Sequence, residues 1–210
     1  MATYQKDLFT KAIESGDLGT YLFFDTETTG LPRNWQAPAG DLENWPRLVQ
    51  IAWVLYKEGL EVSHSDFIIK PEGFSIPTDA SNIHGITTER ATREGALLRL
   101  VLNEFQNLVK RADFLVAHNI SFDEKIVGAE FLRENMPNIL VSKKTICTKE
   151  ISTNFCAIPH TNSHSGYKWP KLSELHMKLF GAEFIDFHNA LADVNATAKC
   201  FWEMKKRGIV

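Results

Sequence analysis

Four apolar runs of strand length and several stretches with a helical stripe divide the chain. The first run, YLFF at 21–24, is rich in aromatic residues and predicts a short strand. It passes directly into DTETTG (25–30), which is polar and ends on a turn glycine. LVQIAWVLY (48–56) and EVSHSDFIIK (61–70) predict two more strands, with Glu58 and Gly59 at the turn between them. DFLVAH (113–118) predicts a fourth. Helices are expected where apolar residues return to one face. The spacing of Leu97, Leu98, Val101, Leu102, Phe105, Leu108 and Val109 predicts one long helix over 89–111. Others are expected over 121–134, 171–180 and 190–207, and a short amphipathic one over 5–15, stopped by Gly16. Residues 31–47, with Pro32, Pro38 and Pro46, read as a long loop, as do 71–85 and 154–170. Strands first, then strands alternating with helices, place the chain in the α/β or α+β class.

Composition narrows this picture. At 210 residues, the length suits one domain, and 44% hydrophobic with 23% charged residues supports a buried core. No apolar run approaches the roughly 18 residues that span a bilayer, and the first sixteen residues lack the apolar stretch of a secretory signal. A soluble, cytoplasmic protein with no membrane partner is therefore expected. Cys147, Cys156 and Cys200 form no C-x-x-C pair. Cys147 and Cys156 with His160 and His164 give a spacing that matches no usual zinc site. The formal net charge is −3, yet residues 140–180 carry six lysines against two acids. Phe155, Tyr167 and Trp169 interleave those lysines. Such a charge run is ordinarily a solvated face. Basic side chains among aromatic faces also suit a single nucleic-acid strand, and both readings stay open.

Candidate chemistry lies in the acids. If the first strand continues through Asp25 and Glu27, the two carboxylates project from the same face, because strand side chains alternate. Two desolvated carboxylates repel, and a hard divalent cation is the natural compensator. An EF-hand loop is excluded, since the twelfth position from Asp25 is Gln36 and an aromatic strand precedes it. Asp123 follows the 113–118 strand, where Asn119 and Ser121 are good helix caps, so it falls in a first helical turn. Asp193 flanks the apolar stripe Leu191, Val194, Ala198 and Phe201, and His188 precedes that helix. Taken singly, each of these has an ordinary role at a strand or helix end.

Together, and in this order, FFDTETTG, HNISFD and HNALADV resemble the three motifs of the DEDDh 3′-5′ exonucleases. That family includes the proofreading epsilon subunit of bacterial DNA polymerase III and ribonuclease T. The likeness covers about residues 20–205, and IHGIT (83–87) is similar to the epsilon-type members. The resemblance implies an α/β, ribonuclease H-like fold: a mixed five-stranded sheet with helices on both faces. It implies an exonuclease domain over 20–210 behind a helical extension at 1–19. The activity implied is metal-dependent release of 5′-mononucleotides from 3′ ends, on DNA, with RNA trimming as the alternative. By motif, Asp25, Glu27, Asp123 and Asp193 would hold two magnesium or manganese ions, and His188 would be the general base. Thr28, Gly30 and Leu31 would contact the terminal nucleotide, with His84 and Asn119 as further substrate contacts. The partner implied is a nucleic acid with a free, single-stranded 3′ end, while a polymerase partner or a homodimer is left open. A non-catalytic binding module on the same fold competes with this reading, although binding alone needs no such acid cluster. The 31–47 loop departs from the short turn of the family.

Overall fold

A computed structural model describes residues 19–160, 165–182 and 189–210. The helix expected over 5–15 lies outside them. Five strands form one sheet in the order β3-β2-β1-β4-β5. These are β1 (Thr20–Thr28), β2 (Leu48–Lys57), β3 (Leu60–Ile68), β4 (Phe114–Ala117) and β5 (Lys144–Cys147). β1 pairs antiparallel with β2 and parallel with β4, so the direction of pairing changes across the central strand. β2 and β3 form a hairpin whose turn residues, Glu58 and Gly59, have φ of 53° and 76°. Positive φ at both positions is what a two-residue turn matched to strand twist requires.

The helices follow from where the apolar side chains go. Leu22 and Phe24 of β1 face α3 (Leu98–Arg111) and α4 (Ile120–Arg133), and the Phe24 ring packs tilted against Phe105 at 5.2 Å between centroids. Tyr21 and Phe23, on the opposite face, pack with Val194, Phe201 and Trp202 of α8 (Ala190–Lys206). Alternation along one strand thus builds two cores, and the sheet is covered on both faces as expected. A smaller apolar cluster joins α7 (Leu172–Phe180) to α8. No helix among the described residues is long and apolar enough to cross a membrane.

Several expectations need correction. The first strand does not stop at Phe24; it runs through both acids to Thr28. Residues 71–85 contain a helix, α1 (Thr78–His84), closed by Gly85 in the left-handed conformation at φ 71°. The long helix over 89–111 is two, α2 (Thr88–Glu94) and α3. The break has a physical cause: Ala96 bridges β3's end, with Lys70 N–H donating to Ala96 O at 2.8 Å and Ala96 N–H to Ile68 O at 2.8 Å. A Cβ at Gly95 would run into Ala91 O and the Lys70 backbone, so only glycine fits there. β5 and the short helices α5 (Thr148–Ile151) and α6 (Thr153–Cys156) lie where no element was expected or where loop was. Pro159 and Tyr167 then form an antiparallel bridge.

Candidate active site

Because β1 stays extended, Asp25 and Glu27 emerge on the face that carries Tyr21 and Phe23, toward the start of α8. Two contacts fix that helix start. Asn189 caps it, its Oδ1 accepting from Leu191 N–H at 3.1 Å and Ala192 N–H at 3.3 Å. Gln50, the cross-strand partner of Glu27, accepts from Ala190 N–H at 3.4 Å and donates to Asp66 at 2.7 Å. Asp193, in the first turn, is thereby aimed at the end of β1. Carboxylate oxygens of Asp25, Glu27 and Asp193 lie within 4.8 Å of one another.

Asp123 arrives from the other side. It sits in the first turn of α4, buried, and its Oδ1 accepts a 2.7 Å hydrogen bond from Thr26 Oγ1. Thr26 points to the α4 face while its neighbours Asp25 and Glu27 point to the α8 face, so the strand end gathers acids from both layers. The four carboxylates share one open cleft of about 580 Å³, walled also by His118, Asn119, Phe122 and the start of α7. It lies at the carboxyl ends of the parallel strands β1 and β4, next to the change of pairing direction, where open α/β sheets form ligand crevices.

Burial dominates the electrostatics. Desolvation, then Asp123, Asp193 and Glu27, push Asp25 well above the ordinary carboxylate range. Desolvation, with Asp193 and Asp123 behind it, raises Glu27 to about 8. Asp123 is raised to about 7 by desolvation, against which the Thr26 hydrogen bond and the Lys149 charge act. His118 goes the other way, to about 4, chiefly because burial disfavours the imidazolium. Its hydrogen bonds fix its tautomer. Nε2 can only donate to Pro170 O, at 3.1 Å, which leaves Nδ1 to accept from Thr148 Oγ1, at 2.9 Å. Neutral His118 therefore ties the end of β4 to the segment that leads into α7.

The other expected site residues fall variously. Thr28 is buried, with its hydroxyl donating to Gly30 O at 2.6 Å. Gly30 has φ 151°, a conformation that side-chain-bearing residues rarely adopt. Leu31, just beyond, is 73% exposed. Asn119 lines the cleft, but it does not cap α4 as expected; its Oδ1 accepts from the Lys149 ammonium instead. Ser121 is already inside that helix. His84 ends α1, outside the cleft wall, with Nδ1 accepting from Ile86 N–H at 3.2 Å. His188 lies outside the described residues, as does His164 of the cysteine–histidine spacing. Cys147 and Cys156 are buried in separate apolar clusters. Among the described residues, the trio Asp25, Glu27 and Asp193 is the grouping compact enough for a cation.

Sequence reasoning did not single out Thr26, Gln50, His118 or Lys149 as site residues. Lys149 had a signal, its place in the lysine and aromatic run. That run does not form one patch. Lys143 bonds Ala112 O at the end of α3 and Lys144 lies over Phe114, at the amino ends of the parallel strands. Lys168 is paired with Glu174 at 2.6 Å. Lys149 and Lys171 are left at the cleft side.

Fold and site together define a ribonuclease H-like protein with an acidic centre at the end of its middle strand. Residues 22–201 match the family model described as Exonuclease, of the RNase T type, and the chain belongs to this family of DEDDh 3′-5′ exonucleases. It is similar to DNA polymerase III PolC-type of Streptococcus thermophilus, 33% identical over 180 residues, or 86% of this chain and 11% of that protein. Its likeness to the Streptococcus pneumoniae counterpart is 31% with the same coverage. The chain thus spans about a tenth of the length of these relatives. Among solved structures, E. coli exonuclease I in complex with a dT13 oligonucleotide superposes with a TM-score of 0.70. That likeness has 22% identity and covers 90% of this chain and 41% of the other. A zinc-bound form of an E. coli exonuclease I complex with single-stranded DNA gives 0.69 at 24% identity, covering 90% and 41%. Both share the fold.

Proposed function

We propose that the protein is a divalent-cation-dependent 3′-5′ exonuclease that shortens single-stranded DNA ends and releases 5′-mononucleotides. The observation that carries this is the convergence of Asp25, Glu27 and Asp193 within 4.8 Å, with Asp123 in the same cleft. An all-oxygen donor set held together against its own repulsion fits hard cations such as magnesium or manganese. These four residues would hold them. Two such cations, when bound, supply an activated water and neutralise charge on the phosphate under attack.

The chain's own groups have definable tasks. Thr26 orients Asp123 through its 2.7 Å hydrogen bond, while Asn189 and Gln50 orient Asp193 through the start of α8. Lys149 adds a fixed positive charge beside the acids, and its ammonium holds Asn119 in the cleft wall. His188, five residues before Asp193, would accept the proton of the attacking water. Thr28, Gly30 and exposed Leu31, following the acids on the same strand end, would meet the terminal nucleotide. DNA is favoured over RNA by the PolC-type DNA polymerase relatives and by the oligodeoxynucleotide complexes of exonuclease I.

Side-by-side incubation of 5′-labelled single-stranded DNA, duplex DNA and RNA tests this reading. Stepwise shortening of the single-stranded DNA is expected, silenced by chelator and restored by magnesium or manganese. Faster trimming of RNA would reassign the substrate, and restoration by zinc alone would overturn the hard-cation site. His188→Ala should slow the chemical step by about 10²–10⁴-fold; an unchanged rate at every pH would remove it from the mechanism.

A further inference from the structure

Trp169 is 59% exposed, although an indole gains more from burial than most side chains. A single exposed aromatic is ordinary on a protein surface. Three features set this one apart. First, the segment that carries it is anchored on both sides. Lys168 N–H donates to Ile158 O at 2.9 Å, Pro170 O accepts from His118 at 3.1 Å, and Lys171 N–H donates to Glu174 at 2.7 Å. The ring is therefore displayed from a rigid base. Second, the Lys149 ammonium lies 4.2 Å from the ring centroid, which polarises the indole and holds its plane in place. Third, the patch is continuous with the cleft, because that same ammonium bonds Asn119, and Lys171 is itself part of the wall. An aromatic face with cations beside it, opening from a site that takes a strand end, has the makings of a stacking platform for unpaired bases.

We propose that Trp169, backed by Lys149 and flanked by Lys171, forms a second nucleotide subsite that stacks an unpaired base of single-stranded DNA upstream of the scissile linkage. Lys171 faces the phosphate that leads into the cleft. A base already paired in a duplex cannot lie flat on the ring, so this subsite selects single strands. The inference rests on the nuclease reading for its occupant, but it is tested by binding rather than by turnover.

The experiment measures anisotropy of 5′-fluorescein-labelled dT10 carrying a non-hydrolysable 3′-terminal linkage, with magnesium present. Trp169→Ala should weaken binding by about 5- to 150-fold, the loss expected for one stacked base, and Trp169→Phe should recover most of it. The Trp169→Ala protein should melt like the wild type, because the side chain is mostly in solvent. Moving one abasic position along the strand gives the sharper readout. In the wild type, one upstream position should lose affinity when its base is removed. In Trp169→Ala that position should cost nothing further. Equal affinity of Trp169→Ala and wild type for dT10 would overturn the subsite, as would an identical abasic profile in both proteins. So would the same sensitivity to Trp169→Ala on blunt duplex DNA. Failure of the nuclease reading looks different: the wild type would bind dT10 with the Trp169 signature yet leave a hydrolysable strand intact.

Discussion

Asp25, Glu27 and Asp123 are held where burial opposes ionisation, with mutual repulsion added at Asp25 and Glu27, so as bare carboxylates they work against the fold. The sign follows from linkage. Glu27 has a folded-state pKa of about 8 against an ordinary 4.5, so its protonated form is favoured in the native state. Stability is fully present below the ordinary value and is lost as pH rises toward 8. Glu27→Gln should therefore raise the melting temperature of chelator-treated protein at pH 8, with the gain vanishing near pH 4. A gain that did not depend on pH would refute this assignment of strain. His118 has the opposite linkage: its depressed pKa of about 4 leaves it neutral, and the stability it contributes above 6.5 is lost as pH falls toward 4. NMR titration should find the His118 imidazole neutral at pH 5.5, and a midpoint near 6.5 would contradict its buried, Nε2-protonated state. At this scale, the sequence disclosed Asp25 and Glu27 through the two-residue period of a strand. It could not disclose Thr26 and Asp123 as a bonded pair, since 97 positions separate them and only the stacking of α4 on the sheet unites them.

Among the elements, those with long, regular apolar patterns were readable. β1, β2, the hairpin turn and α8 follow from alternation and helical periodicity in YLFF, LVQIAWVLY and the Val194–Phe201 stripe. β5 was not, because four residues with an exposed lysine at one end carry too few apolar positions to show a period. α1 hid behind prolines and glycines, and the α2–α3 break depends on a bridge to the end of β3 that no local pattern contains. The proposed function would depend most on α8, whose amino end carries Asp193 while Phe201 and Trp202 sink into the sheet. Removing its cap should separate these roles. Asn189→Ala should cost about 1 kcal/mol by chemical denaturation. Its nuclease turnover should fall by more than the folded fraction does, because the first turn that aims Asp193 frays. Turnover that followed the folded fraction alone would mean the cap has no part in aiming it.

Across the whole molecule, charge is arranged rather than summed. A chain of net charge −3 places four acids at one strand end and brings Lys149 and Lys171 to the same side, while Lys143 and Lys144 serve the opposite end of the parallel strands. The proposed cations would offset the acids and in turn let a polyanion approach. Two cores on either side of one strand make this possible, since each delivers a carboxylate on its own helix to the place where β1 ends. The most direct measurement of the account is the product ladder from 5′-labelled single-stranded DNA with magnesium, for wild type and Asp25→Asn side by side. The account predicts one-nucleotide steps from the 3′ end for the wild type, and an intact strand for a variant that circular dichroism finds fully folded. Near-normal shortening by folded Asp25→Asn would contradict it.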